Sequence, residues 1–218
     1  GAKAAFEAGW RRIKLYFMIG LPTETPEDQL AIVDLSEEVS NTRREVENGP
    51  GKVNTSIAIF VPKPHTPFQW EPMVSREEAS EARRRILDKA RMRSVRYSFH
   101  DDRTSLMEGV ISRGDRRLGG AILRAWKMGA RFDAWSEHFD FDRWMQALEE
   151  EGLDPAFYAH RERGEDEVLP WDHIDFGVSR KFLLQEREKA RREEFTDDCR
   201  WNPCPWCGAC AEPGAQRP

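Results

Sequence analysis

The sequence predicts an α/β fold built on a parallel sheet, followed by a helical extension and a cysteine-rich end. Three observations carry that expectation. Strand and helix patterns alternate over the first hundred residues, the signature of successive βαβ units. The first strand, Arg12–Ile19 (RIKLYFMI), is β-branched and aromatic with little alternation after Leu15, which suits a strand buried on both faces. From Asp101 the texture changes to short helical segments rich in Trp and Phe, separated by Gly114, Gly129 and Gly152.

In chain order, Gly1–Gly9 reads as the end of a helix stopped by Gly9. The opening of the chain on such a helix, without Met, suggests the C-terminal part of something longer. After strand Arg12–Ile19, Gly20-Leu21-Pro22 breaks the pattern. Thr25 caps a helix with Pro26 at its first position and acids at Glu27 and Asp28, and the helix is expected to run to about Asn48. Val53–Val61 (VNTSIAIFV) is the second strand. The segment Pro62–Pro72 holds four prolines, which forbid regular structure. Ser75 and Glu78 form a capping-box pattern that opens a helix to about Arg93. Ser94–His100 is the third strand. Helices follow over Thr104–Ile111, Leu118–Met128, Phe141–Glu151 and Pro155–His160. A last amphipathic helix spans about Ser179–Glu194, with Phe182, Leu183 and Ala190 apolar.

Composition narrows the function classes. The net charge of −5 argues against a general polyanion binder. No apolar run approaches the roughly 18 residues of a membrane span, so no membrane partner is expected and the cytoplasm is the simplest location. There, clustered cysteines point to metal or redox chemistry rather than disulfides.

The four cysteines are Cys199, Cys204, Cys207 and Cys210, spaced C-x4-C-x2-C-x2-C. Pro203, Pro205 and Gly208 force tight turns that let sulfurs converge. Thiolates are soft ligands for zinc or iron–sulfur centres. Structural zinc usually takes two separated Cys pairs, whereas consecutive runs mixing x2 and x4 spacings are closer to ferredoxin-type ligation. Iron–sulfur, zinc and metal-free thiols or disulfides all stay open on spacing alone.

Two further segments sit at strand ends, where parallel α/β sheets bind ligands. These are Gly20–Glu24 (GLPTE) and Pro62–Trp70 (PKPHTPFQW). A capped strand-to-helix turn is the plainer reading of the first. His65 is a weak catalytic candidate, with a loop hydrogen bond as the alternative. Asp101, with Asp102, is a second weak candidate, capping the next turn being the alternative. The basic run Arg83, Arg84, Arg85, Lys89, Arg91, Arg93 and Arg96 reads as a solvated helix face, with RNA phosphates as the competing partner. The Trp and Phe residues of Phe132–Trp144 are expected to lie mostly in the core, with Glu137 and His138 able to face a pocket.

Ile19–Thr25 (IGLPTET), followed by Phe60–Trp70 (FVPKPHTPFQW), resembles the late strands of a radical SAM enzyme barrel, closest to a subfamily with a cobalamin-binding domain. Ser98-Phe99-His100-Asp101, Arg113–Gly119, Trp135–Asp140, Pro170–Ile174 and Asp198-Cys199-Arg200 continue the resemblance over nearly the whole chain. It implies the C-terminal half of a partial TIM-type barrel over residues 1–100; the residues themselves read as a helical extension over 101–194, a cysteine site over 195–212 and a disordered tail over 213–218. The resemblance also implies S-adenosylmethionine cleavage by a 4Fe-4S cluster and a reductant such as a flavodoxin or ferredoxin. The substrate stays undefined, with RNA among the candidates. Ile19, Gly20, Leu21 and Pro22 would line the nucleoside, and Phe60 and Pro62 the neighbouring strand end. The family's C-x3-C-x2-C motif is absent from this chain, so the main cluster and cobalamin would belong upstream. The C-terminal cysteines then become an auxiliary cluster or zinc site, and this fragment alone is expected to be inactive. The competing class is a non-enzymatic, zinc-stabilised module that binds RNA or protein.

Overall fold

The computed structural model describes residues 1–210, so the expected disorder of the tail from residue 213 on lies outside the described residues. The chain divides into two compact units. Gly1–Phe60 with Val74–Ser105 form the first, and Val61–Met73 with the chain from Leu106 onward form the second.

In the first unit, α1 (Ala2–Glu7) precedes β1 (Arg12–Ile19), α2 (Pro26–Thr42), β2 (Lys52–Ile59), α3 (Arg76–Lys89) and β3 (Val95–Phe99). All pairings are parallel, in the order β1-β2-β3. The α/β class and parallel alternation therefore match the sequence pattern. The sheet is open, with three strands and no closed barrel among the described residues.

Both helices start where their caps predict. Asp28 N–H donates to Thr25 Oγ1 at 3.3 Å while Thr25 N–H donates to Asp28 Oδ2 at 2.8 Å. Ser75 and Glu78 make the same reciprocal pair at 3.2 and 2.7 Å. The C-terminal bounds are corrected. The α2 helix ends at Thr42, followed by a 3-10 turn, Arg43–Glu45, rather than reaching Asn48. Likewise α3 stops at Lys89 rather than Arg93, and β2 at Ile59 rather than Val61.

The core explains the sheet's one-sidedness. Ile19, Ile57, Ile32, Val33, Ala82 and Ile86 are buried together, with Phe17, Ile59, Tyr97 and Phe99 packed on them. Helices α2 and α3 thus share one face of the sheet. Ser36 Oγ meets Thr55 Oγ1 at 2.9 Å beneath them, so both buried hydroxyls find partners. The opposite face carries Lys14, Tyr16, Met18, Arg96 and Ser98, all exposed. The expectation that β1 is buried on both faces is therefore wrong: β1 is an outer strand whose residues alternate between exposed and half-buried. The apolar run misled because Tyr16 and Met18 count as apolar in a pattern while standing in solvent.

In the second unit, α4 (Asp102–Arg113, from Leu106), α5 (Leu118–Lys127), α6 (Phe141–Glu150), α7 (Pro155–Ala159) and α8 (Arg180–Arg191) surround the Pro-rich segment. Trp70, Leu169, Trp171 and Leu183 form its apolar cluster. The segment is held at its backbone: Arg163 N–H donates to Trp70 O at 2.8 Å, and Met73 N–H to Ala159 O at 2.9 Å. Phe132 and Trp135 are 74% and 62% exposed, against the expectation of mostly core aromatics over 132–144; Trp144 is buried. Among the described residues no helix is long and apolar enough to cross a membrane.

Candidate functional site

The Gly20–Glu24 turn is clamped by one carboxylate. Glu24 Oε2 accepts from Leu21 N–H at 3.1 Å, and Glu24 Oε1 accepts from Gln29 Nε2 at 2.6 Å. Gly20 has φ +81°, and a Cβ there would lie 2.6 Å from Val74 Cγ2. Only glycine fits, and the close neighbour is Val74. Ile19 is buried, while Leu21 is exposed and Pro22 half-buried beside it. Phe60 N–H donates to Ile19 O at 2.8 Å, so the ends of β1 and β2 are tied together. Pro62 is buried and belongs to the second unit.

A cleft of about 250 Å³ opens at the carboxyl ends of these strands. Ile19, Ile57 and Phe99 form apolar walls, and Arg76, Arg83 and His100 are among its polar lining residues. The Arg83 guanidinium lies 5.2 Å from the Phe99 ring centroid. Asp101 lines the cleft but is occupied as the cap of α4: Thr104 N–H donates to its Oδ1 at 2.8 Å, and Thr104 Oγ1 at 3.0 Å. The carboxylate of Asp102 pairs with Arg76 Nε. Burial pushes the Asp102 carboxyl up, but the hydrogen bond and charge of Arg76 outweigh it and hold the group below its ordinary range.

His65 lies in the second unit. Its φ is +57°, an uncommon conformation for a residue with a Cβ. Its N–H donates to Gln69 Oε1 at 3.0 Å, and its ring stacks on Phe176 with centroids 5.3 Å apart. Its Nε2 is buried with no partner among the described residues. A cleft of about 270 Å³ adjoins it, lined also by Gln69, Asp172, His173 and Arg180. Arg180 donates to Asp172 Oδ2 at 2.8 Å and to the carbonyls of Glu165 and Glu167. His65 and Asp101 thus fall in different units, each beside its own cleft.

No disulfide joins the four cysteines. Cys204-Pro205-Trp206-Cys207-Gly208 folds as a knuckle. Trp206 N–H donates to Cys204 Sγ at 3.4 Å, and Ala209 N–H to Cys207 Sγ at 3.5 Å. Trp206 and Gly208 both have positive φ, +57° and +95°. Ser179 N–H donates to Cys207 O at 2.7 Å, fastening the knuckle to the start of α8. A Cβ on Gly208 would come within 3.1 Å of Gly177 O. The two amide donors fix the positions of the Cys204 and Cys207 sulfurs, which are soft ligands. Among the described residues no three His, Cys, Asp or Glu side chains converge to hold a metal ion. The donor chemistry of the knuckle fits a soft metal, while the four sulfurs do not yet meet.

Two features escaped sequence reasoning. Glu24 was part of a quoted turn, yet its clamping role depends on Gln29, one turn into α2. The second is an ionic cluster around the buried Arg187, which donates to the buried Glu71 Oε1 at 2.6 Å and to the exposed Glu162 Oε1 at 2.7 Å and Glu165 Oε1 at 3.0 Å. An Arg in the middle of an apolar stripe was the available signal.

No protein-family model matches the chain, and no solved structure matches it. An uncharacterized protein of Methanocaldococcus jannaschii is 26% identical over 146 residues. That match covers 66% of this chain, and the chain spans 31% of the relative's length.

Proposed function

We propose that this chain is the C-terminal part of a radical SAM enzyme, contributing strand ends to an S-adenosylmethionine site. The observation that carries the reading is the open parallel sheet, helix-covered on one face only, with Gly-Leu-Pro-Thr-Glu at the end of its outer strand. Parallel sheets are normally covered on both faces, so the bare face and its carboxyl ends are where further strands and a ligand would go. Leu21 and Pro22 offer an apolar surface to a nucleoside, and the Glu24 clamp fixes their backbone. Ile19 O is engaged by Phe60 N–H, so both strand ends would move as one. S-Adenosylmethionine, when bound and reduced, supplies a carbon radical. The C-x3-C-x2-C motif that would ligate the reducing cluster is absent from these residues.

The gene product that contains this chain, reconstituted anaerobically and reduced, is expected to release 5′-deoxyadenosine from S-adenosylmethionine. Leu21→Asp should lower that release about tenfold, or ~1.4 kcal/mol of barrier. No 5′-deoxyadenosine from a fully reconstituted protein would overturn the assignment.

A second reading, a zinc-stabilised module that binds RNA or protein, rests on the Cys-Pro-Trp-Cys-Gly knuckle with its two N–H···S bonds. Metal analysis and absorbance of anaerobically purified chain separate the two site chemistries. Iron with sulfide-to-iron charge transfer supports the auxiliary cluster, and colourless zinc supports the module. Cys204→Ser and Cys207→Ser should each lose the metal in either case. Unchanged metal content in both variants would exclude the knuckle as its site.

A further inference from the structure

A groove of about 720 Å³ opens at the amino ends of β1 and β2, in the first unit. Trp10 and five cations line it: Arg11, Arg12, Lys14, Arg43 and Lys52. No carboxylate is among the lining residues, although the whole chain carries a charge of −5. Arg43 is committed to Glu47 and to the carbonyls of Asn48 and Gly49. Arg11, Arg12, Lys14 and Lys52 are exposed. The sheet register sets Arg12 directly beside Lys52. Like charges side by side on neighbouring strands repel and favour a bound counter-charge. The same register aligns Lys14 with Asn54 and Arg96, so the positive row continues across the uncovered sheet face. Trp10 stands at the groove 66% exposed.

We propose that this groove binds single-stranded nucleic acid, with Arg11, Arg12, Lys14 and Lys52 on successive phosphates and Trp10 stacked on a base. Phosphate neutralisation by several cations supplies the affinity, and an aromatic face accepts any unstacked base. A duplex hides its bases and leaves Trp10 without a partner. A lipid surface calls for an apolar stripe beside the cations, whereas Trp10 is the one large exposed apolar side chain lining the groove. With the free cations on phosphates and Trp10 on a base face, the groove is expected to tolerate sequence. The groove itself is built from the amino ends of β1 and β2 and the segments before them, and it uses none of the strand-end residues of the proposed S-adenosylmethionine site.

Fluorescence anisotropy of a labelled oligouridylate of about 12 nucleotides with the full chain tests it. Binding is expected to weaken with salt, with a log–log slope of about −0.7 per phosphate contact. Arg12→Gln with Lys52→Gln should lower affinity at least about tenfold and reduce the slope by about 1.4. Trp10→Ala should lower affinity about tenfold with the slope unchanged. Arg84→Gln with Arg116→Gln, exposed cations outside the groove, should change little. Far-UV circular dichroism checks each fold, and Lys52→Gln alone serves if the double variant misfolds. The proposal is overturned by no anisotropy change at low salt, by an equal loss in the Arg84/Arg116 variant, or by no effect of Trp10→Ala. Binding to phosphatidylserine vesicles or duplex as tight as to the single strand overturns it as well.

Discussion

A methyl group at Gly20 would have to share space with Val74 Cγ2 and also adopt φ +81°. Gly20→Ala is therefore expected to destabilise the first unit by about 1–3 kcal/mol, read as a lower urea midpoint with an unchanged m-value. That a glycine is needed here was legible, because Gly-Leu-Pro between a strand and a capped helix demands a turn. Its neighbour was not legible, because Val74 follows the β2 strand and the Pro-rich segment in sequence. Asp101 shows the same limit from the other side. A polar residue at the end of a strand fits both a cap and a substrate contact, and only the bonds to Thr104 show that its carboxylate is engaged in capping. The cysteines were legible as a cluster from spacing. The N–H···S bonds of the knuckle depend on the left-handed conformation of Trp206, which no propensity favours.

At the level of elements, α8 repays comparison with its pattern. Its expected apolar face was Phe182, Leu183 and Ala190, yet Leu183 and Arg187 are the buried residues and Ala190 is exposed. Arg187, 2% exposed, neutralises Glu71, itself 6% exposed. Arg187 stands within the apolar stripe of α8, but its pairing with a residue as distant in sequence as Glu71 cannot be read from periodicity, so the helix was found and its inward face was partly misread. Removing one partner of a buried pair strands the other charge. Arg187→Ala is expected to cost about 3–5 kcal/mol in urea unfolding, toward the lower end because Arg191 still reaches Glu71 at 2.8 Å. Adding Glu71→Gln should recover part of the loss. The Pro-rich segment was correctly read as irregular. Its burial of Trp70 at 0% exposure was not foreseen, since prolines usually mark surface loops. Trp70→Ala should destabilise the second unit by about 3–5 kcal/mol, measured by thermal denaturation.

For the molecule as a whole, the alternation of strands and helices made the α/β class readable, because period and punctuation are local properties. The change of texture at Asp101 lies close to the boundary between the two units at Ser105, whereas the membership of Val61–Met73 in the second unit was not readable, since that segment joins residues far along the chain. Net charge is likewise an average: the value of −5 says nothing of where the cations gather, and the charged residues lining one groove are all cations. Titration at high pH also has a whole-molecule reading. Burial, with the Glu37 charge adding to it, pushes the Tyr97 phenol up to about 12. Burial, with Arg163 and Arg161 beside it, pulls the Arg113 guanidinium down to about 10. The folded state holds the Tyr97 proton longer than the unfolded chain, so this group's share of stability falls as pH rises from about 10 to about 12. Arg113 acts with the opposite sign above about pH 10, because the unfolded chain then holds more protons. Comparison of Tyr97→Phe with the parent isolates the first effect, and the variant should gain relative stability across that window. A last consequence follows from the outer position of β1. Among the described residues no strand pairs with the peptide groups of its outer side, so in this chain by itself those groups form a template for another strand, the route by which sheets recruit one another into aggregates. Arg12 and Lys14 guard that edge by charge, so Lys14→Val should raise the rate of turbidity growth on concentration at high salt, where the remaining charges are screened.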